Sequence, residues 1–441
     1  MEDPSSQELH CEMVPGTIHL VDVQGILDVQ KDKQNVILIP QPSSNINDPL
    51  RWSQTKKILQ FALLWFWAFM LTVSVTFSGP LFDEWTSAFN ISFNQLNIYY
   101  ALSYLFSGIG CLVLQPTALK LGRRGVYLVC TIFVLVANVI GGVAKNVGFL
   151  YGNSILAGFA CSPSDSLIEI SATDVFFVHE RSTVFGIIIL AIFAGSYLGP
   201  VASGYIAQGT NWRWTFWVQV IIYGALFVVQ LFLMEDTTFR RYNTEDELEK
   251  EILHTIKSHD SRLQSGKEDE EKAKISSDEV LVTNDESSIP KRTYWQKMKL
   301  IELEHNDLRP WLTIFARPFY LWSFPAILWG SLVYGAQIMW VSLIGTTQSE
   351  FYSAEPYNFT VAQVGLTNLG ACVGAFIGML YGGKFVDWLS ITLARRNNGI
   401  LEPEFRLWAM ILPTILNAAG ILAYGLPPYY GAKWEYSVII G

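Results

Sequence analysis

Three carboxylic side chains lie between two long apolar runs of the chain. The segment CSPSDSLIEISATDVFFVHERS carries Asp165, Glu169 and Asp174, with GFLYGNSILAGFA before it and TVFGIIILAIFAGSYLG after it. A carboxyl group within a lipid-embedded helix generally faces a cavity or a partner, because lipid disfavours its charge. Burial and mutual repulsion raise its affinity for a proton, so such a group is a candidate proton carrier or a counter-ion for a cation.

The helix that holds these groups begins near Val147 and runs inward. With a rise of about 1.5 Å per residue and hydrocarbon about 30 Å thick, Asp165 lies in the inner part of the membrane, Glu169 near its boundary and Asp174 among aqueous charges. Asp165 and Glu169 are four residues apart and are expected to share a helix face. Pro163 can open the backbone towards a cavity. The alternative for both carboxyls is a purely structural hydrogen bond to a nearby hydroxyl.

The surrounding elements are long apolar runs. Of the 441 residues 51 % are hydrophobic and 16 % charged, which indicates a polytopic membrane protein. Because the runs are continuous and reach about 20 residues each, the predicted fold class is an all-α polytopic membrane protein. The predicted spans are 58–82, 95–118, 125–146, 148–172, 183–208, 213–234, 318–346, 362–386 and 407–427, with a tenth beginning near Trp434.

Basic residues predict the orientation of these spans. With the N-terminus in the cytoplasm, only Lys145, Arg213 and Lys433 of the lysines and arginines fall outside, in agreement with the positive-inside rule. The acceptor sequons at Asn90 and Asn358 then lie in external loops and are predicted glycosylation sites.

Four domains follow from this plan, and two helical bundles of this kind are typical of secondary transporters. They are a cytoplasmic N-terminal tail (1–56), a six-helix bundle (57–238), a charged cytoplasmic linker (239–316) and an incomplete second bundle (317–441).

Two loops carry related motifs of glycine and charged residues. The loop after span two, PTALKLGRRGVYL, contains Lys120, Gly122, Arg123 and Arg124. The loop after span eight, GKFVDWLSITLARR, contains Gly383 and Asp387. Both resemble the loop signature of the major facilitator superfamily, and each copy keeps residues that the other lacks.

Span five adds a second motif, AGSYLGPVASGY. It contains Gly195, Gly199, Pro200 and Gly204, and it resembles the antiporter motif of the same superfamily. Small residues four apart let helices approach closely, and proline removes one backbone hydrogen bond. Ordinary small-residue packing is the alternative interpretation.

Further segments narrow the resemblance. Five segments are similar to a fungal branch of the superfamily that contains drug:proton antiporter-like pumps and polyamine or organic-cation permeases. They are FVHERS, NWRWTFW, ARPFY, EPYNFT and RRNNGILEPEFRLW. Members of that branch have twelve spans, so the resemblance implies a major facilitator fold with about ten of twelve helices present and a C-terminal truncation.

The resemblance implies a secondary active transporter that exports a drug, toxin or secondary metabolite by alternating access. Proton coupling is inferred from Asp165. Uptake of polyamines or organic cations, and a truncated membrane protein that does not transport, are the alternatives. The predicted substrate and proton pathway comprises Asp165, Glu169, Tyr334, Gln337, Trp340 and Asn368. Asp174 is expected to pair with Arg123, Arg124 and Arg181 as an inner gate.

Other classes of function find little support in the sequence. No nucleophile–base pattern is visible, the histidines and cysteines form no metal-binding pattern, and GMLYGGKF lacks the Ser or Thr of a phosphate-binding loop. We therefore expect no enzyme activity, no metal and no cofactor. The expected partners are the lipid bilayer, a small-molecule substrate and protons, and no nucleic acid is expected to bind. The protein is expected to be a monomer in the plasma membrane.

Overall fold

The computed structural model is almost entirely helical, which confirms the all-α prediction. It describes residues 18–19, 46–164, 166–239, 292–300, 310–355, 357–396, 400–430, 434–435 and 438. Within that part of the chain the strands are limited to one short antiparallel pair, in which Ile18 is the partner of Leu401 and His19 of Ile400.

The first half of the molecule contains eight helices. They are α1 (Gln54–Thr76), α2 (Phe82–Phe89), α3 (Phe93–Leu121), α4 (Arg123–Gly142), α5 (Val147–Cys161), α6 (Leu167–Val175), α7 (Val178–Gly209) and α8 (Trp212–Leu233). Polar side chains fix several of the helix starts. Asn146 accepts a hydrogen bond from the Phe149 amide at the start of α5, and Asn211 does the same for Arg213 at the start of α8.

The second half begins after a short helix, α9 (Tyr294–Lys297). It contains α10 (Trp311–Leu321), α11 (Pro325–Ser353), α12 (Val361–Leu380), α13 (Val386–Arg396) and α14 (Ile411–Tyr429). A π-helical turn, Tyr381–Phe385, joins α12 directly to α13. The segment from Gly383 onward, which the sequence predicts as a loop, is therefore helical through Arg396.

Each of the nine predicted spans coincides with helix, and among the described residues eight helices are long and apolar enough to cross a membrane. The fourth span is interrupted well inside its apolar run. Helix α5 ends at Cys161, a 3-10 turn covers Ser162–Ser164, and α6 starts at Leu167. Proline at position 163 cannot donate the backbone hydrogen bond that a continuous helix needs there. The predicted tenth span lies almost wholly outside the described residues.

Polar contacts tie α1, α4 and α8 together inside the first half. Trp67 Nε1 donates to Thr131 Oγ1 at 2.8 Å, and that hydroxyl donates to Gln230 Oε1 at 2.8 Å. Seven residues further along α1, Ser74 Oγ donates to Gln219 Oε1 at 2.5 Å. Because lipid supplies no hydrophobic drive between helices, such contacts and close packing hold a membrane bundle together.

Helix α7 joins the two halves. It packs against α1 on one side and, more extensively than any other described pair of helices, against α12 on the other. We call the end of the molecule that holds residues 46–53, 234–239 and 292–300 the loop face. The two halves therefore meet along one helix that spans the bundle from the loop face to the opposite end.

Close backbone approach within the first half gives a test of the fold. A methyl group on Gly158 of α5 would lie against the Ser103 carbonyl and 2.9 Å from Ser103 Cα, whereas one on Gly224 of α8 meets nothing within 4 Å. We expect Gly158→Ala to cost about 1–3 kcal/mol through overpacking, seen as a lower thermal unfolding midpoint of the purified protein in detergent. Gly224→Ala is the matched control and should leave the midpoint unchanged or higher. Equal midpoints for the two variants would contradict this packing.

Candidate functional site

A small cavity lies where α7 of the first half meets α11, α12 and α14 of the second. Its volume is about 80 Å³, which accommodates a few water molecules. Its lining combines four aliphatic side chains with six polar or aromatic ones, namely Tyr197, Gln348, Tyr352, Thr367, Asn368 and Tyr424. The lining thus draws on both halves of the molecule.

An amide pair forms the polar part of this cavity. Asn368 Nδ2 donates to Gln348 Oε1 at 2.7 Å and to the Gly365 carbonyl at 3.1 Å, and both amide side chains are buried. The Tyr424 hydroxyl lies 3.0 Å from Thr347 Oγ1. The described lining carries no charged side chain. It therefore offers aromatic surfaces and neutral hydrogen-bonding groups to a ligand.

The predicted pathway residues divide between this cavity and the protein surface. Asn368 lines the cavity as described, while Tyr334 and Gln337 of α11 have exposed side chains and do not line it. Trp340 is half-buried and is likewise not in the lining. The cavity instead uses the next turns of α11, from Val341 to Tyr352. The sequence placed Gln348 and Tyr352 in an external loop, because the apolar run ends near residue 346.

The break in span four changes the expectation for its carboxyl groups. Asp165 lies outside the described residues. Glu169 is exposed on α6, which starts only at Leu167. The structure shows that span four is not one continuous helix, because the 3-10 turn around Pro163 separates α6 from α5. That Asp165 and Glu169 share a helix face stays a prediction.

The span-five glycines pack against both halves. A methyl group on Gly195 would lie 3.2 Å from the Phe69 carbonyl carbon, and one on Gly199 would lie 3.2 Å from Val73 Cα; both neighbours belong to α1. Gly204 faces the other way, where a methyl group would lie 2.8 Å from the Val361 carbonyl oxygen of α12. The motif therefore places one helix in close contact with two others.

A reciprocal contact comes from α12. A methyl group on Gly365 would lie 2.7 Å from the Pro200 carbonyl oxygen, so backbone meets backbone at the interface between the halves. Nearer the loop face, Gly186 of α7 lies opposite Gly383 of the π-helical turn, where a methyl group on Gly186 would lie 3.5 Å from Gly383 Cα. Small residues therefore line this interface at both ends.

At the loop face, Arg123 forms an ion pair with Asp174, the contact that the sequence predicts. Arg123 Nη1 also donates to the Ile170 carbonyl at 3.0 Å, so one guanidinium holds the last turn of α6. The two charged side chains are only 7 % and 15 % exposed. Arg181 donates to the neighbouring Thr173 carbonyl at 3.2 Å and lies in the same group.

Arg124 has different partners from those expected. Its Nε donates to the Met234 carbonyl at 2.7 Å, Nη2 donates to the Leu231 carbonyl at 2.8 Å, and Nη1 donates to the Met298 carbonyl. The predicted pairing of Arg124 with Asp174 is therefore wrong. A buried guanidinium here satisfies the free carbonyls at the end of α8, as terminal carbonyls of a helix require.

The remaining motif residues lie near these groups. Gly122 separates α3 from α4 with a φ of 95°, a conformation that favours glycine, and Lys120 lies in the last turn of α3. Asp387 Oδ2 of α13 accepts a hydrogen bond from Thr183 Oγ1 of α7 at 3.0 Å, so it connects the two halves at the loop face.

Both predicted glycosylation sites are exposed. Asn90 and Asn358 each adopt a left-handed backbone, with φ of 53° and 48°, in turns that follow helices. Asn90 ends α2, at the far end of α3 from Gly122. An exposed turn is compatible with modification, which stays a prediction.

The ion pair gives a test with a defined partner. Asp174→Arg should destabilise the protein strongly, by about 3–5 kcal/mol, because it leaves two buried positive charges together. Adding Arg123→Asp should restore part of the thermal stability of the purified protein, although the bond to the Ile170 carbonyl is lost. Adding Arg124→Asp instead should give no recovery, because Arg124 contacts backbone carbonyls. Recovery with Arg124→Asp alone would contradict this assignment.

Comparison with known proteins shows the family of this chain. The model of the Major Facilitator Superfamily matches residues 64–441. An uncharacterized MFS-type transporter of Schizosaccharomyces pombe is 32 % identical over 440 residues, covering 95 % of this chain and 76 % of that protein. Protein HOL1 of Saccharomyces cerevisiae is 27 % identical, covering 97 % and 80 %.

A solved structure shows the same fold at low sequence similarity. The proton:xylose symporter XylE superposes with a TM-score of 0.53 at 11 % identity, over 88 % of this chain and 78 % of that one. The family model and the fission-yeast relative both cover most of the chain. The chain belongs to the Major Facilitator Superfamily, and its fold is that of a membrane transporter.

Proposed function

We propose that this protein is a proton-coupled exporter of small, neutral or weakly polar aromatic molecules that works by alternating access. The observation that carries the proposal is the cavity between the halves, whose described lining contains tyrosines and an amide pair and no charged side chain. Aromatic faces and neutral hydrogen-bonding groups suit drug-like or toxin-like molecules better than multiply charged cations. The loop face is then cytoplasmic.

The interface of α7 supports a rocking mechanism. Gly195 and Gly199 pack on α1, while Gly204 packs on α12. When one half moves against the other, the contacts of α7 must therefore shift. At the loop face the Thr183–Asp387 hydrogen bond also joins the halves and must break when that face opens. Contacts that exist in one state only bias the equilibrium between states, as alternating access requires.

Uptake of polyamines or organic cations is the second candidate function. It is favoured by the acidic character of span four, where Glu169 is exposed near the start of α6 and Asp165 lies two residues before that helix in sequence. Vesicles that contain the purified protein can separate the two candidates under an imposed pH gradient. Export predicts transport of Nile red, a neutral fluorescent aromatic dye, and uptake predicts transport of spermidine. Transport of spermidine alone would reverse the proposal.

The amide pair should set the affinity for substrate. We expect Asn368→Leu to raise the KM for Nile red on the order of tenfold with little change in maximal rate, because one neutral hydrogen bond is lost. Asn417→Leu removes an exposed amide from α14 and is the matched control, with an unchanged KM expected. A second cavity variant, Thr367→Val, guards against misfolding of the first. Unchanged KM values in both cavity variants would remove this cavity from the transport pathway.

Proton coupling is proposed on the sequence position of Asp165. Asp165→Asn should abolish flux driven by the pH gradient while the protein stays in the membrane, because an amide cannot carry a proton. Glu350→Gln, an exposed carboxyl on the last turns of α11, is the control and should retain gradient-driven flux. Gradient-driven flux of Asp165→Asn at the rate of the unmodified protein would exclude Asp165 from the mechanism.

A further inference from the structure

The two halves also touch at the end of the molecule opposite the loop face, which we call the outer end. Helix α1 ends at Thr76, and a buried 3-10 turn, Gly79–Leu81, follows it. This turn, the outer turn, contacts both α11 and α12 of the second half. Together with the Thr183–Asp387 hydrogen bond at the loop face, it keeps the described halves in contact at both ends.

Glycine at the start of the outer turn allows this contact. A methyl group on Gly79 would overlap the amide nitrogen of Gln348 on α11. The same methyl group would lie 3.2 Å from the Gly345 carbonyl oxygen and 3.4 Å from the Tyr100 hydroxyl. Non-bonded carbon atoms pack best about 3.5–4.0 Å from their neighbours. A residue larger than glycine would therefore press on the Gln348 side chain whenever the outer turn lies against α11.

The same glutamine belongs to the cavity between the halves. Gln348 is only 2 % exposed, and its Oε1 accepts the hydrogen bond from Asn368 Nδ2 at 2.7 Å. The two ends of one amide group thus have different neighbours, because the oxygen meets Asn368 and the nitrogen meets Gly79. Resonance keeps an amide group planar, so a shift of its nitrogen also moves its oxygen.

We propose that Gln348 couples closure of the outer end to the affinity of the cavity for substrate. When the outer turn lies against α11, Gly79 confines the Gln348 amide to the position in which it holds Asn368. When the turn moves away, the amide is released and the pair loses its fixed geometry. Gln348 is thus a positioning residue, and Gly79 is the contact that fixes it.

This inference rests on the proposed role of the cavity as the substrate site. The coupling is reciprocal, because a substrate that binds one arrangement of the amide pair more tightly also shifts the outer end towards that arrangement. An exporter needs such a difference in affinity, since it binds its substrate on one side of the membrane and releases it on the other.

Closure of the outer end can be measured without any substrate. A cysteine is introduced into the cavity lining as Val341→Cys, and a membrane-impermeant maleimide is added to the outer side of vesicles of known orientation. The labelling rate is taken as the excess over protein that keeps Val341, because the chain has cysteines of its own. A faster rate means that the outer end is open for a larger fraction of the time.

Gly79→Ala should raise the labelling rate on the order of tenfold, because the methyl group overpacks the closed contact. Gly345→Ala is the matched control: its methyl group would meet nothing within 4 Å, so the rate should stay unchanged. In protein that carries Gln348→Ala, Gly79→Ala should have little effect, since the nearest remaining neighbour of the methyl group is then 3.2 Å away.

A second comparison tests the link to the cavity. Asn368→Leu removes the partner that holds the Gln348 oxygen, so the amide can move into the space of the outer turn, and the labelling rate should rise. In protein that carries Gln348→Ala, the same substitution should have no effect, because residues that act through one side chain are not additive. This comparison does not use Gly79→Ala and stays valid if that variant fails to fold.

Three results would overturn the proposal. Equal labelling rates for Gly79→Ala and Gly345→Ala would show that the outer end does not close through this contact. An equal effect of Gly79→Ala with and without the Gln348 side chain would show that the methyl group acts elsewhere. An effect of Asn368→Leu that persists in Gln348→Ala protein would show that this amide does not link the cavity to the outer end. The KM for Nile red tests the proposed function separately, so failure of one can be told from failure of the other.

Discussion

The structure depends on the close contact of α7 with a helix on each side. Helices in lipid gain little from hiding apolar surface, so their association relies on packing and on polar contacts. Gly195 and Gly199 allow α7 to approach α1, and Gly204 allows it to approach α12. The same helix contributes Tyr197 to the cavity between the halves. One helix, brought close to its neighbours by small residues, therefore contributes both to the contact between the halves and to the cavity between them.

Charge is concentrated at the loop face and serves several purposes there. Arg123 pairs with Asp174 at the end of α6, and Arg124 satisfies carbonyl groups at the end of α8. Adjacent arginines in one motif thus hold two different helix ends. The guanidinium group suits both tasks, because its fork of donors reaches several acceptors at once. The Met298 carbonyl extends this network to residues 292–300, within the predicted linker.

The cavity between the halves and the carboxyl groups of span four suggest different parts of one cycle. The described cavity lining is neutral, with Asn368 and Gln348 bonded to each other. The acidic residues belong to a span that Pro163 interrupts, and broken helices are common where membrane transporters bind substrates or ions. In the proposed exchange, substrate recognition and proton movement would then use separate groups.

Hydropathy alone located the spans, because a run of about 20 apolar residues is a local property that lipid imposes directly. The motif residues of span five and of the loop after span two were also recognisable in the sequence. Tertiary structure decided which groups meet. Sequence spacing could not show that Arg124 reaches the end of α8, that Gln348 lies within α11, or that span four breaks before Glu169. Lateral contacts between helices depend on rotation and tilt, which are set by packing against neighbours distant in the chain.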